Sequence, residues 1–363
     1  MNKIDPYNVQ GALDYDKLIK EFGVKRLDQG TLSKLRGNVP KYIKRGFAYA
    51  HRDFDKFISR LESGEPSAIV SGRGPSSHMH IGHLVPLFFL KYFQEEYGCT
   101  IYIPISDDEK YYAKDITIDQ VIAYAKENLL DIMAVGFDPK KTKVIMDFIS
   151  IGKFYKYVAM IAKKITFNTV KGLMGFDEST NVGLLFYPAI QSAHILYPNF
   201  FDNISNILVP IGIDQDPYMR VVRDYAESLG FEKPCSIYTK YLPPLTGIEG
   251  KMSASDPNTC IYLTDDEETV KKKIKRAVTG GRKTLEDQRK YGGSPERCVV
   301  YHYLLAMFAE DDEINEIYQG CVEGQRLCGQ CKELLIERIL KFLTEHAEKR
   351  EKYKDIIEDI IEK

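Results

Sequence analysis

Short apolar runs alternate with longer amphipathic runs between residues 67 and 148, and this alternation constrains the fold more than any other feature of the sequence. The apolar runs 67–71, 100–106 and 143–148 are predicted strands. The stretches between them are predicted helices that end at Gly98 and Gly136, because glycine is favoured just past helix ends. Strand, helix, strand, helix, strand is half of a doubly wound parallel sheet.

The rest of the chain continues this pattern and then departs from it. Strands are predicted at 206–213 and 236–240, with a helix over 218–229 between them. Residues 150–200 are mainly helical and aromatic-rich, which predicts an insertion between the two halves of the sheet. From about Asp265 onward only helical periodicity remains. The predicted fold class is therefore α/β: a doubly wound parallel, Rossmann-like sheet with a helical insertion, followed by an all-α C-terminal domain.

A chain of 363 residues is long enough for two or three units. We predict an N-terminal extension over 1–64, a Rossmann-like domain over 65–264 and a helical domain over 265–363. No apolar run reaches the ~20 residues that span a bilayer, and the first ten residues do not resemble a signal peptide. We therefore expect a cytoplasmic protein without a membrane partner.

The charge balance gives no sign of general nucleic-acid binding, because the net charge is only −2. We expect no DNA partner, and any RNA contact must come from a local basic face. Lysine and arginine concentrate at 271–276, 282–283 and 289–290, where the helical domain begins. Such a patch can neutralise RNA phosphates. Lysine runs also occur where they only solvate a helix, so the patch alone leaves both interpretations open.

The strongest local motif is His80-Ile81-Gly82-His83, at the start of the helix that follows the first predicted strand. Two imidazoles at i and i+3 share a helix face, and phosphates bind at helix N-termini. Gly82 would let a flat base approach the backbone. Arg73 lies in the glycine-rich turn just before the motif, together with Gly74 and Ser76, and could add further donors. Alone, the motif could equally be a surface pair or half of a metal site.

A second motif, Lys251-Met252-Ser253-Ala254-Ser255, lies in a loop flanked by glycine and proline after the last predicted strand. A lysine on such a loop can neutralise the charge that develops on a pyrophosphate leaving group. Alone, the loop could be a solvated turn. Together, and in this order on this sheet, the two motifs indicate a nucleotide-dependent reaction.

These two motifs resemble the HIGH and KMSKS signatures of class I aminoacyl-tRNA synthetases. Five longer runs resemble the tryptophanyl-tRNA synthetase family of the archaeal and eukaryotic cytosolic type. They are Gly72-Arg73-Gly74-Pro75-Ser76-Ser77, Ser106-Asp107-Asp108-Glu109-Lys110, Phe186-Tyr187-Pro188-Ala189-Ile190-Gln191, Ile213-Asp214-Gln215-Asp216-Pro217-Tyr218 and the run from Lys251 to Pro257. The resemblance extends from about Asp5 into the C-terminal helices. It implies a class I catalytic domain over 65–264 and an anticodon-binding domain over 265–363.

The resemblance also implies an activity, its ligands and the residues that bind them. The reaction would be activation of L-tryptophan with ATP and Mg²⁺, followed by transfer to tRNA(Trp), in a homodimer with the helical insertion at its interface. The ATP-binding and catalytic residues would be Arg73, Gly74, Ser76, His80, Gly82, His83, Lys251, Met252, Ser253 and Ser255. Glu109, Gln191 and Gln215 would surround the ammonium group of the amino acid, and Gly212 and Asp214 would lie by the ribose.

The pocket for the amino-acid side chain departs from the family pattern. The family binds the indole N–H with a tyrosine on the first strand and a glutamine on the second, and Val70 and Pro104 stand at those positions. Neither side chain can accept a hydrogen bond. His194 stands where the family usually has proline, and Met219 where it often has an aromatic residue. One hypothesis is that His194 replaces the missing indole partner; the alternative is that it only packs.

Four of the seven cysteines fall late in the chain with the spacing Cys-x22-Cys-x6-Cys-x2-Cys, from Cys298 through Cys321 and Cys328 to Cys331. Four thiols can bind an iron–sulfur cluster or zinc. A subset of the family resembles this pattern and binds a 4Fe–4S cluster, so we expect a cluster before zinc. The alternatives are four reduced cysteines or a site that is now empty.

Three other functions stay open on the sequence alone. The chain could charge another aromatic amino acid such as tyrosine, since its pocket differs from the family pattern. It could be a non-catalytic paralogue that binds tRNA. It could also be a small-molecule nucleotidylyltransferase, which shares the His-x-Gly-His turn but needs no helical C-terminal domain.

Overall fold

The computed structural model describes residues 13–254 and 256–362. A seven-stranded sheet forms the centre of the fold, in the order β1-β2-β7-β6-β3-β4-β5. Its strands are β1 (Lys25–Arg26), β2 (Ala48–Arg52), β3 (Ser67–Val70), β4 (Thr100–Ile105), β5 (Thr142–Met146), β6 (Asn206–Ile211) and β7 (Cys235–Thr239).

The five strands from β3 to β7 pair in parallel and give the sheet its doubly wound topology. The chain runs outward from β3 to β4 and β5, and then returns to β6 and β7 on the other side of β3. The predicted fold class is thereby confirmed. All side chains of β3 are buried, as expected for a strand covered on both faces. The strand order reverses between β3 and β6, and folds of this kind bind ligands beyond the carboxyl ends of the strands at such a point.

The sheet is mixed rather than wholly parallel, because β2 pairs antiparallel with β7 and β1 pairs antiparallel with β2. Both strands lie within the segment 1–64, for which the sequence predicted no strand. β1 has only two residues. The sequence of β2 is Ala-Tyr-Ala-His-Arg, in which apolar and polar residues do not alternate, and its partner strand lies far along the chain. Neither strand can therefore be recognised from a local sequence pattern. The division at residues 64 and 264 stays a prediction.

The helices before the insertion alternate with the strands β1 to β5 along the chain. They are α1 (Tyr15–Phe22), α2 (Gln29–Leu32), α3 (Lys41–Lys44), α4 (Phe54–Glu62), α5 (Leu84–Tyr97), α6 (Asp107–Ala113) and α7 (Ile118–Met133). α5 ends at Gly98 in the left-handed conformation, as predicted. α7 begins after a capping box of Thr117 and Gln120. The sequence did not predict α6, because three consecutive acidic residues at its start show no apolar periodicity.

The segment predicted to be a helical insertion consists of α8 (Asp147–Ala162), α9 (Phe167–Met174), α10 (Val182–Ile195) and α11 (Tyr197–Asp202). The third predicted strand extended to residue 148, but β5 ends at Met146 because Asp147 already begins α8. The insertion shares one apolar cluster with Val70 of β3 and Tyr102 of β4. It therefore packs against the same sheet edge that carries the candidate site.

Helices alone follow β7 in the described part of the chain, as the sequence predicted. α12 (Asp216–Ala226) lies between β6 and β7, and after β7 come α13 (Glu267–Arg276), α14 (Leu285–Tyr291), α15 (Val299–Tyr303), α16 (Asp311–Val322), α17 (Cys328–Glu351) and α18 (Ile357–Ile360). α17 packs against α13, α15 and α7. Buried apolar residues of α17, such as Ile339, share one cluster with residues of the sheet, such as Ile103.

No helix among the described residues has the length and apolar character required to cross a bilayer.

Candidate active site

The turn that follows β3 forms the first part of the candidate site. The backbone N–H of Arg73 donates to the carbonyl of Pro104 (2.9 Å), and the backbone N–H of Ser106 donates to the carbonyl of Arg73 (2.9 Å). The turn therefore continues the ladder between β3 and β4. A Cβ on Gly72 would lie 2.0 Å from the carbonyl oxygen of Pro104, so only glycine fits there.

The Arg73 side chain carries positive charge into this turn. Its Nε donates to Oδ1 of Asn128 (3.2 Å), while Nη2 is buried without a partner among the described residues. Burial lowers the pKa of Arg73 to about 10, so the guanidinium stays charged at neutral pH. Gly74 and Ser76 complete the turn, and a Cβ on Gly74 would lie 2.1 Å from Cε of Lys110. An anion at this place would meet a cation that still has a free donor.

His80 and His83 stack on each other at the start of α5, with ring centroids 3.5 Å apart. The backbone N–H of His80 donates to Nδ1 of His83 (3.0 Å), which leaves the proton of the His83 ring on Nε2. Burial lowers the pKa of His80 to about 3 and holds the pKa of His83 well below its usual value. Nδ1 of His80 is buried without a partner among the described residues. The two rings are thus neutral groups that can bind phosphate or ribose through hydrogen bonds.

The two sequence motifs lie next to each other, although they are far apart in the chain. The backbone N–H of Ile81 donates to the carbonyl of Ile261 (3.0 Å), and that of Leu263 donates to the carbonyl of Met79 (2.9 Å). The chain that leaves the Lys251 loop therefore runs alongside the histidine turn. A Cβ on Gly82 would lie 2.8 Å from Cε of Met252, so the two motifs are in van der Waals contact.

Lys251 forms an ion pair with Asp214, whose Oδ2 lies 2.9 Å from Nζ. Asp214 also accepts hydrogen bonds from the hydroxyl of Tyr241 (2.5 Å) and from the amide of Gln215 (3.3 Å). A Cβ on Gly212 would lie 2.4 Å from the Tyr241 hydroxyl. The structure thus brings Lys251, Asp214 and Gln215, which were assigned to three different parts of the substrates, into one group at the carboxyl end of β6.

The rest of the Lys251 loop is held by its own backbone and by the helical domain. The backbone N–H of Ser253 donates to Oγ1 of Thr259 (3.2 Å). Met252 is buried, and its sulfur accepts a hydrogen bond from the hydroxyl of Tyr303 (3.3 Å). Ser255, which was assigned to the triphosphate, lies outside the described residues.

The residues expected around the substrate ammonium group occupy three different elements. Glu109 in α6 is buried and forms an ion pair with Lys110 (2.5 Å). Gln191 in α10 accepts a hydrogen bond from the Tyr187 hydroxyl (2.5 Å). Gln215 contacts Asp214, so each of the three is bonded to another side chain rather than to its expected companions.

Sequence analysis missed a buried acidic cluster beside these residues, formed by Asp107, Asp108 and Asp147. One carboxylate oxygen of each lies within 4.8 Å of the others. Burial raises the pKa of Asp107 to about 7 and of Asp108 to about 9, and holds that of Asp147 well above its usual value. Nε2 of His194 lies 2.6 Å from Oδ1 of Asp147, and His194 is 0% exposed. The acidic run at 107–109 was visible in the sequence, but Asp147 follows an apolar strand as a lone acid.

The positions expected to meet an indole are apolar. Val70 and Met219 are each 1% exposed and belong to one apolar cluster with Tyr102 and Ala193. Pro104 lies in β4 and uses its carbonyl for the Arg73 backbone. Neither Val70 nor Pro104 offers a side-chain acceptor to an indole N–H.

The four late cysteines, Cys298, Cys321, Cys328 and Cys331, line one small cavity. A Cβ on Gly281 would lie 2.4 Å from Sγ of Cys328, and Nε of Arg326 lies 3.2 Å from Sγ of Cys331. Burial raises the pKa of Cys321 to about 11. In the described part of the chain, only the buried acidic cluster brings three potential ligand atoms within 4.8 Å of one another. No three of the four sulfurs are therefore that close.

Comparison with known proteins gives a consistent match along the chain. The family model of class I tRNA synthetases (W and Y) matches residues 62–344. A tryptophan–tRNA ligase of Thermococcus onnurineus is 47% identical over 363 residues, which cover 98% of this chain and 93% of that protein. A tryptophan–tRNA ligase of Pyrobaculum calidifontis is 45% identical over 360 residues, with 98% and 96% covered.

Solved structures match over almost the same length. A tryptophanyl-tRNA synthetase from Encephalitozoon cuniculi bound to tryptophan has a TM-score of 0.88 and 35% identity, covering 97% of this chain and 98% of that chain. A tryptophanyl-tRNA synthetase from the archaeon Aeropyrum pernix has a TM-score of 0.89 and 33% identity, with 96% of both chains covered. The similarity includes the helices that follow β7.

Proposed function

The chain belongs to the class I tRNA synthetases of the tryptophan and tyrosine group, and we propose that it is a tryptophan–tRNA ligase that forms tryptophanyl adenylate and transfers the tryptophanyl group to tRNA(Trp). The observation that carries the proposal is the contact between the histidine turn and the Lys251 loop beyond the carboxyl ends of the parallel strands. The family resemblance read from the sequence is confirmed, and the tyrosine, non-catalytic and nucleotidylyltransferase alternatives are not favoured.

ATP would bind between the two motifs. His80 and His83 are both neutral, because burial lowers the pKa of each ring. Their ring nitrogens would donate hydrogen bonds to ATP or accept hydrogen bonds from it. The adenine ring would approach the backbone at Gly82, and Arg73 would meet an anionic group with its unpartnered Nη2. Gly74, Ser76, Met252 and Ser253 border this space, and Ser255 is assigned to it by resemblance only.

Lys251 would change partner during the reaction. In the structure it pairs with Asp214, and a triphosphate would offer it a stronger negative charge. Once Lys251 has moved to the triphosphate, Asp214 could accept a hydrogen bond from a ribose hydroxyl next to Gly212. The carboxylate of tryptophan attacks the α-phosphate, pyrophosphate leaves, and Lys251 stabilises the charge on the leaving group. No general base is required, since positioning and electrostatics supply the catalysis.

Mg²⁺ is expected with the triphosphate. Mg²⁺ is commonly bound through substrate phosphates and water, so the triphosphate beside Lys251 would supply most of its ligands. When bound, Mg²⁺ neutralises charge on the phosphates.

The ammonium group of tryptophan would lie among Glu109, Gln191 and Gln215. A carboxylate and two amide oxygens suit a cation. Glu109 is paired with Lys110, so the substrate ammonium would compete with that lysine. The indole would enter the apolar region around Val70 and Met219.

The tRNA would meet the basic patch on α13 and α14. Within this patch Lys273 is engaged with Asp265 and Lys271 with Glu267, while Lys272, Lys275 and Arg276 are exposed. The exposed cations would neutralise phosphates. We place the protein in the cytoplasm, where tRNA charging occurs, as part of the same proposal.

The four cysteines fit a bound metal cluster. All four cysteines line one cavity, and Gly281 leaves free the space next to Sγ of Cys328 that a Cβ would fill. Four thiols can bind either a 4Fe–4S cluster or zinc, and the resemblance to the cluster-binding members of the family puts the cluster first. Such a cluster would fasten α15, α16 and α17 to each other.

The experiment that tests the function is ATP–pyrophosphate exchange with purified protein and each amino acid separately. Exchange with tryptophan alone, followed by aminoacylation of tRNA(Trp), is the expected result. Exchange with tyrosine would keep the chemistry and change the substrate. Absence of exchange with every amino acid, in a folded protein, would contradict the proposal.

A further inference from the structure

His194 combines complete burial with an unused ring nitrogen. Its Nε2 lies 2.6 Å from Oδ1 of Asp147, and its Nδ1 is buried with no hydrogen-bond partner in the described part of the chain. A buried polar atom without a partner costs free energy, so a ligand that satisfies it would gain in affinity. The His194 ring also packs against the ring of Phe154, with the two centroids 5.5 Å apart.

The surroundings of Asp147 determine which nitrogen of His194 carries the proton. Burial raises the pKa of both Asp108, to about 9, and Asp147, while the hydrogen bond between them raises the pKa of Asp108 and lowers that of Asp147, so the shared proton is assigned to Asp108. Asp147 is then the acceptor in this bond and in the bond to His194. Burial also lowers the pKa of His194 to about 4, so its ring is neutral. A neutral ring that donates from Nε2 has a lone pair on Nδ1.

His194 lies on the same helix as residues assigned to the amino-acid site. Tyr187, Gln191 and His194 follow each other on α10 at i, i+4 and i+7, and therefore share one helix face. Ala193 belongs to the same apolar cluster as Val70 and Met219. A tryptophan bound there brings one indole N–H into a region where neither Val70 nor Pro104 can accept it.

We propose that His194 is the specificity residue for tryptophan: its Nδ1 accepts the indole N–H, and Asp147 is the positioning residue that keeps the ring proton on Nε2. This role of His194 rests on the proposed function, and it identifies the group that recognises the indole N–H. The acceptor then comes from the helical insertion rather than from the strands.

The test compares L-tryptophan with L-3-(benzothiophen-3-yl)alanine, in which sulfur replaces the indole N–H. In ATP–pyrophosphate exchange, His194→Leu should lower kcat/KM for tryptophan roughly ten- to a hundredfold, and change that for the sulfur analogue by less than about threefold. His194→Gln should restore much of the preference, because its amide can donate to Asp147 and still accept the indole N–H.

A spectroscopic measurement separates this role from packing. In protein labelled with ¹⁵N-histidine, the His194 signal is the one lost in His194→Gln. Its Nδ1 should have the shift of an unprotonated nitrogen, and that shift should change on adding tryptophan but not the sulfur analogue. In Asp147→Asn, an amide that can donate to Nε2 should move part of the ring proton to Nδ1 and reduce the preference for tryptophan.

The possible outcomes are distinguishable. An equal loss with both amino acids in His194→Leu, or an unchanged Nδ1 signal with tryptophan, would overturn the role of His194 while leaving the ligase function intact. Absence of exchange with tryptophan in the wild-type protein would overturn the function itself, and the inference with it.

Discussion

Single charges decide what the candidate site can do, and Lys251 is the clearest case. Replacing Lys251 by Met should lower the rate of ATP–pyrophosphate exchange roughly a hundred- to a thousandfold, because a donor aimed at developing charge contributes about that much. The matched control is Lys143→Met, which removes a lysine that pairs with Asp202 (2.6 Å) away from the two motifs. Wild-type exchange in Lys251→Met would show that another group stabilises pyrophosphate.

The buried acidic cluster predicts an unusual dependence of stability on pH. Burial raises the pKa of Asp108 to about 9, against about 3.9 for an unfolded carboxyl group. Between these values the folded chain binds a proton that the unfolded chain has released. The contribution of Asp108 to stability is therefore complete below about pH 4 and is lost as the pH rises towards about 9. Asp107, Asp147 and His194 face this carboxyl group.

Asp108→Asn should remove this dependence, because the amide still donates to Asp147 without titrating. The free energy of unfolding, measured in urea between about pH 5 and about pH 8, should rise in the variant relative to wild type by up to about 1.4 kcal/mol per pH unit. Asp312→Asn, at an exposed position in α16, is the control and should follow the wild type. Parallel curves for Asp108→Asn and wild type would contradict the assignment.

Residues that belong to motifs could be predicted from the sequence, and residues that depend on long-range contacts could not. The histidine turn and Lys251 were recognised from local runs. The pairing of Lys251 with Asp214 was not, because it joins segments on opposite sides of β7. Asp147 carries no local signal, since only the folded sheet brings it to His194.

At the level of elements, glycine and capping residues made helix ends predictable. Gly98 and Gly230 both adopt the left-handed conformation just after the helices that were predicted to end there. The prediction that this helix starts at His80 was less accurate, because a 3-10 turn over Ile81–His83 precedes α5. Such a turn uses the same residue types as an α-helix, and its tighter hydrogen bonds cannot be read from periodicity.

The first turn of α17 offers a matched test of the cysteine cavity. Gly281→Ala should reduce the iron and acid-labile sulfide bound after anaerobic purification, because a Cβ there would lie 2.4 Å from Sγ of Cys328. Gly329→Ala lies next to Cys328 in α17 and meets nothing within 4 Å, so it should keep the iron and stabilise the helix by about 0.5–1 kcal/mol.

Iron in both variants would show that the cavity tolerates the extra carbon. A wild-type protein that is colourless and free of metal after anaerobic purification would contradict the cluster itself.

At the scale of the whole molecule, the C-terminal helices are joined to the sheet by polar contacts as well as by the apolar core. His346 of α17 lies 3.0 Å from Asp131 of α7, and Arg350 lies 2.6 Å from Glu127. Beyond α18, the backbone N–H of Glu362 donates to the carbonyl of Val144 in β5 (2.8 Å). Sequence periodicity predicted the helices, but it contained no information on this return to the sheet edge.

The helical insertion leaves apolar side chains exposed, which suits the homodimer that the family resemblance implies. Phe167 is 50% exposed and Val182 is 78% exposed, and both line one groove with Leu185 and Phe186. Tyr155 on α8 is 56% exposed. Apolar groups clustered on a surface are typical of protein–protein interfaces, and a two-fold dimer would use the same patch on both subunits.

Introducing charge into this groove should therefore separate the subunits. The double variant Phe167→Asp with Val182→Asp should sediment as a monomer at concentrations where the wild type sediments as a dimer, because two buried carboxylates per subunit would lose hydration across the interface. Tyr291→Asp is the control, since Tyr291 in α14 is 58% exposed and lies outside the insertion. A monomeric wild type, or a double variant that stays dimeric, would move the interface away from the insertion.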